Sequence, residues 1–284
     1  MWRLLLPLLC LACAPDERPI PTPPTPAEQL KSKWELYSDL SPGGAHETDC
    51  DGLLFRSLLE AGRGRSYNVE AWRDNTGKWQ RNPTWACERA TSHDMIRGLL
   101  VYLWSQKRLD LLEDTWHYDG LFVMDDRDWR ISTLLPDTIS TLALTIHKLG
   151  GHDHWQRSLA SPCIKGLTGF KAHLQAVNML HRLSLGVADD KSYECIVDMT
   201  TRQPNNAFYW AIRGRYEGDQ TTATSLLLNE SYWPADSLPT SVERCDAWIT
   251  QRDEGKDWEP CPQEGKTHSG GDFLIAAAIV LGLL

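Results

Sequence analysis

Apolar residues at helical spacing, joined by short connections, constrain this chain more than any other feature. Leu135, Ile139, Leu142, Ile146 and Leu149 recur at intervals of four, three, four and three, the repeat of one helix face. Pro136 suits the first turn of that helix, and Gly150-Gly151 ends it. Met95, Ile96, Leu99, Leu100 and Leu103 make a second such face. Leu174, Val177 and Leu180, closed by Gly186, make a third within 168–185. Residues 205–215 and 219–229 read as a short antiparallel pair turning at Glu217-Gly218. The closing apolar run, 273–284, is too short to span a bilayer and suits a buried core helix. Convincing β alternation is absent. The expectation is therefore an all-α fold, an array of antiparallel helical hairpins forming an α/α toroid.

The N-terminus speaks of location. Arg3 precedes a short apolar stretch ending Leu11-Ala12-Cys13, so residues 1–12 read as a signal peptide. Leu11-Ala12-Cys13 resembles the lipobox of bacterial lipoproteins, with Cys10 where leucine is commonest. The resemblance implies that Cys13 carries lipid and becomes the new N-terminus. An ordinary signal peptide cut nearby is the alternative. Pro15, Pro19, Pro21, Pro23, Pro24 and Pro26 make 13–28 an extended linker. Residues 29–284 are then a single helical domain, facing away from the cytoplasm on a lipid-anchored envelope protein.

Setting aside Cys10 and Cys13, the body holds Cys50, Cys87, Cys163, Cys195, Cys245 and Cys261. An even number in an exported protein suggests disulfides, and neighbour pairing (50–87, 163–195, 245–261) is preferred because nearby segments meet most easily. The stretch 230–268, rich in tryptophan and proline, reads as a long loop stapled by a disulfide near the C-terminus. Absence of CxxC among these six cysteines argues against a thiolate zinc site in the body, and no phosphate loop marks a cofactor, so neither metal nor cofactor is expected. A net charge of −9 without basic runs argues against nucleic acid as a partner.

Three helix starts share a chemistry. Thr48-Asp49-Cys50-Asp51, Thr91-Ser92-His93-Asp94 and Ser269-Gly270-Gly271-Asp272 each match a capping box before an apolar run. As caps, Asp51, Asp94 and Asp272 satisfy free N–H groups. Each box also carries a histidine (His46, His93 and His268), and Asp49 is an acid that its cap does not need. If these helices are alternate inner helices of a toroid, the polar groups converge on one pocket. Trp79 and Trp85, in a loop with several amides, suit sugar stacking, and Arg244 with Trp248 is a weaker version of the same pattern. His173 and His181 read as core histidines, and 125–128 as a solvated turn.

The three boxed phrases resemble those of uncharacterised bacterial exported proteins, and the helical pattern is distantly similar to α/α-toroid glycoside hydrolases and polysaccharide lyases. That resemblance implies a carbohydrate-active protein acting on a cell-surface or environmental glycan. Hydrolysis needs two carboxyls, for which Asp49 and Asp94 are the candidates. His46, Trp79, Trp85, His93, Arg244, Trp248, His268 and Asp272 are the candidate substrate contacts. The alternative is a non-catalytic glycan-binding or scaffold lipoprotein. A lesser one is a metal-dependent hydrolase, because His46, then His93-Asp94, then a late aspartate resembles the order in HD-domain phosphohydrolases.

Overall fold

The computed structural model describes residues 23–40, 52–75, 77–83, 91, 93–117, 123–125, 130–132, 136–152, 163–167, 169–187, 189–230, 233 and 271–284. The described chain is helical. Its helices are α1 (Pro26–Leu40), α2 (Gly52–Arg63), α3 (His93–Ser105), α4 (Leu109–His117), α5 (Pro136–Lys148), α6 (Gly169–Ser184), α7 (Asp190–Arg202), α8 (Ala207–Glu217), α9 (Thr221–Leu227) and α10 (Gly271–Val280). A short antiparallel hairpin departs from the all-α expectation. Strand β1 (Val123–Asp125) pairs with β2 (Arg130–Ser132), Val123 lying opposite Ser132. Three residues per strand are too few for alternation to show.

Local chemistry sets the helix ends where expected. Pro136 opens α5, and Gly150 and Gly186 lie in the left-handed region after α5 and α6. Between α8 and α9, Gly218 takes φ 72° and returns its N–H to the Gly214 carbonyl. One start differs from expectation. The α1 helix begins at Pro26, inside the segment read as linker. Thr25 Oγ1 accepts from the Glu28 N–H, and Glu28 Oε2 accepts from the Thr25 N–H, a reciprocal capping box around a first-position proline. Thr25-x-x-Glu28 was a usable sequence signal, hidden by the prolines before it.

Burial sorts the helices into central and peripheral. Every residue from Phe273 to Ile279 of α10 is buried, as expected of a core helix. The α3 helix was expected to bury one face, yet Met95 to Leu103 are buried on all sides, Arg97 included. In α2, every residue from Gly52 to Gly62 is buried except Arg56, which is half-buried. By contrast, α1 buries only Leu30, Lys33, Tyr37 and Ser38. The packings run α2 on α3, α3 on α5 and α6, α6 on α8, α8 on α10, and α10 back on α2. Helices α1, α4, α7 and α9 pack against members of that circuit. Gly98 marks its closest approach. A Cβ there would stand 2.5 Å from the Leu54 carbonyl oxygen and 2.8 Å from the Leu54 Cα, so only glycine lets α3 lie so near α2.

One expected disulfide is present. Cys163 is bonded to Cys195, fastening the segment before α6 to α7 across 32 residues. The other two expected pairs, 50–87 and 245–261, lie outside the described residues. So does most of the C-terminal loop, though its start is pinned. Trp233 is buried, and Lys33 Nζ donates to the carbonyls of Leu227 and Trp233. Burial pushes the Lys33 ammonium down to about 8, partly opposed by Glu230. No helix among the described residues is long and apolar enough to cross a membrane.

Candidate functional site

The expected site residues divide into those the structure places and those it does not describe. Cys13, His46, Asp49, Trp85, Arg244, Trp248 and His268 lie outside the described residues. His93 and Asp94 are the first two residues of α3, and Asp272 is the second of α10. Both helices start one residue later than a cap at Thr91 or Ser269 implies. The Thr91 hydroxyl donates to the Trp79 carbonyl at 2.6 Å. Of the three helices that follow the boxes, α2 packs against both α3 and α10.

Trp79 serves packing. Its ring is 1% exposed, its indole N–H donates to Thr115 Oγ1 at 3.1 Å, and the Arg73 guanidinium stacks 4.9 Å from its centre. The chain around it is a tight turn, with Asp74 accepting from the Lys78 N–H and Gly77 at φ 84°. In this structure the tryptophan is an anchor for that turn rather than an open stacking surface.

A polar cluster that the sequence did not single out joins α3, α5 and α6. Arg97 Nη2 donates to Asp137 Oδ2 at 2.7 Å, and Arg97 Nε donates to Thr138 Oγ1 at 3.1 Å. Asn178 Nδ2 donates to the same Asp137 oxygen at 3.2 Å. Arg97, Thr138 and Asn178 are buried, whereas the Asp137 side chain is 18% exposed. Two faint signals were available: a lone arginine inside the Met95–Leu103 apolar run, and an acid directly after a helix-opening proline. Their partnership was not available, because the partners lie 40 residues apart.

A second cluster is local. On α2, Glu60 Oε1 lies 3.2 Å from Arg56 Nε and 3.4 Å from Arg63 Nη1, with Glu60 4% exposed. Arg63 also donates to the Ser38 carbonyl, tying α2 to α1. Ser57 bonds the Tyr67 hydroxyl beside this group, and burial raises the Tyr67 phenol.

His173 and His181 are buried in α6, as expected. His173 stacks on Phe208 and lies 3.3 Å from Asn206 Nδ2, and His181 Nε2 lies 3.2 Å from Thr145 Oγ1. Burial pushes both imidazoles down to about 3, with Arg182 adding to the effect at His181. They are neutral at physiological pH. Among the described residues, no three histidine, cysteine, aspartate or glutamate side chains gather closely enough to hold a metal ion. An open groove of about 830 Å³ runs between the start of α1 and α9, lined by Thr25, Gln220, Thr221, Thr224, Ser225 and Asn229 among others.

No protein-family model, curated protein or solved structure matches this chain.

Proposed function

We propose that this chain is an exported carbohydrate-active protein. In this reading the helices form an α/α toroid, and the ligand site lies where α3 and α10 begin. The observation that carries it is the circuit of packings from α2 through α3, α6, α8 and α10 back to α2. A closed circuit of largely buried helices with others packed outside is the layering a toroid requires. The circuit also supports a common site for the boxed helix starts, since α2 lies against both α3 and α10. Asp94 then serves with Asp49 as the carboxylate pair, and His93 and Asp272 contact the glycan. A toroid hosts many chemistries, so the reading stands on those residues. At the other end of the chain, the lipid on Cys13 holds the protein to the envelope, with the proline-rich segment as spacer.

The test is to incubate the purified chain with a panel of bacterial, plant and fungal polysaccharides, measuring both binding and new reducing ends. Asp94→Asn is expected to abolish the release of reducing ends without lowering the melting temperature. Binding with no release by the wild-type chain identifies a glycan-binding lipoprotein instead. Neither binding nor release refutes the carbohydrate reading. Mass spectrometry of the mature N-terminus is expected to find lipid on Cys13, and an unmodified terminus refutes the anchor.

A further inference from the structure

The groove between the start of α1 and α9 holds about 830 Å³, within the range of small-ligand sites. The described residues that line it include no acid, no base and no aromatic ring. Leu228, Pro26 and Ala27 supply its apolar part, and hydroxyls and amides supply the rest. Glu28 and Asp219 reach its rim, and both are engaged. Glu28 Oε2 accepts from the Thr25 hydroxyl at 2.7 Å, and Asp219 Oδ1 accepts from the Thr221 hydroxyl at 2.6 Å.

Thr224 and Ser225 differ from other helical hydroxyls of the chain. Those of Thr115, Thr141, Thr145, Ser184 and Thr200 each donate to the carbonyl four residues back. Among the described residues, the Thr224 and Ser225 hydroxyls make no hydrogen bond, and both residues line the groove. Thr224 is half-buried there and Ser225 is exposed. The wall beside them is fixed in advance. Gln220 Nε2 donates to the Ala211 carbonyl at 3.1 Å, and its amide lies so close to Gly214 that a Cβ there would stand 2.6 Å from Gln220 Oε1. A wall already held in place loses little freedom when a ligand arrives.

We infer that this groove is a further carbohydrate subsite, holding a neutral oligosaccharide through the Thr224 and Ser225 hydroxyls. The inference rests on the carbohydrate reading and gives the ligand a place on residues other than the boxed helix starts. Chemistry selects the occupant. A hydroxyl both donates and accepts, so free hydroxyls beside a small apolar surface match a sugar, which offers hydroxyls and C–H faces. A charged ligand finds no counter-charge in the described lining, and an acyl chain would bury both hydroxyls unpaired. A peptide docking as a strand needs a sheet edge, and a proline-rich one needs aromatic walls. The described lining has neither.

The first experiment uses the full wild-type chain with cellotetraose, maltotetraose and chitotetraose as neutral probes and tetragalacturonate as the charged comparison. Amide hydrogen exchange is read by peptide mass spectrometry. Binding of at least one neutral probe is expected, with slower exchange in peptides spanning 220–229. A bound probe that leaves those peptides unchanged, or stronger protection of them by tetragalacturonate, overturns the inference. The second experiment measures affinity for the bound probe after Thr224→Val and Ser225→Ala, alone and together. The double variant is expected to lose about tenfold with an unchanged melting temperature, the size of two lost hydrogen bonds. A folded double variant that binds like wild type overturns the inference while leaving the carbohydrate reading standing. A destabilised double variant shows that the hydroxyls serve the fold and also overturns it. A chain that binds polysaccharides of the panel but none of the neutral probes loses the groove and keeps the carbohydrate reading. If the wild-type chain binds no glycan at all, that reading fails first and takes this inference with it.

Discussion

Glu60 and Asp137 are both carboxylates paired with arginine in the helical body, yet they are built in opposite ways. Glu60 takes its arginines from positions four before and three after it on α2, so its cluster forms wherever that helix forms. Asp137 takes its donors from α3 and α6, 40 and 41 residues away, so its cluster exists only when three helices are in place. The Glu60 carboxylate is closed from solvent at 4% exposure, whereas the Asp137 carboxylate is 18% exposed. The lesson is that arginine–carboxylate pairing alone does not mark function. What distinguishes the second cluster is that its donors come from two distant helices.

That contrast can be broken most directly at Glu60. Replacing it with alanine removes the carboxylate from beside Arg63, whose side chain is 1% exposed. Loss of one partner of a buried pair costs about 3–5 kcal/mol, and urea denaturation should show it. Asp137→Asn keeps the held oxygen as an acceptor and should cost far less. Equal losses at the two positions would mean that both clusters are staples.

A smaller effect is expected at Gly98, which follows Arg97 and lies against α2. Alanine favours a helix by about 1 kcal/mol over glycine. Here its methyl group meets the Leu54 backbone at 2.5 Å, so overpacking by about 1–3 kcal/mol is expected to win. A stabilised Gly98→Ala would show that α2 and α3 do not approach as described, and the two clusters would lose their shared framework.

The smallest effect concerns His181, three residues beyond Asn178 on α6. Its folded pKa of about 3 lies below the ordinary 6.5, so the unfolded chain binds more protons. The stability this group contributes is fully present above about pH 6.5 and falls as pH drops toward 3. Acidification from pH 7 to pH 6 should cost about 0.7 kcal/mol for each of His173 and His181. His181→Asn should lose less than wild type over the same interval, by urea midpoints at the two pH values. Identical pH dependence would mean that α6 opens to solvent, and the burial of its neighbour Asn178 would be in doubt too.

Much of the fold was legible because the physics is local. The four-three-four-three repeat gave α5, Gly150, Gly186 and Gly218 gave helix ends, and the apolar run at 273–284 gave a core helix. The 163–195 pairing followed from nearness along the chain. Expectation failed where neighbours in space overrode neighbours in sequence. The α3 helix reads as having one apolar face, yet contacts on every side bury even Arg97. Trp79 reads as a stacking surface, yet Thr115, 36 residues away, holds its indole N–H and Arg73 of its own turn covers its ring.

The candidate site divides the same way. Sequence alone placed Asp94 and Asp272 at helix starts, because an acid before an apolar run answers the unpaired N–H groups of the first turn. It also made Glu60 pairable, since residues three and four apart on a helix meet without help from the rest of the protein. Tertiary structure alone decided that Arg97, Asp137 and Asn178 meet. Periodicity fixes which way a side chain faces along its own helix. Which helix stands opposite depends on how buried surfaces of separate segments pack, and that information is spread over the whole chain.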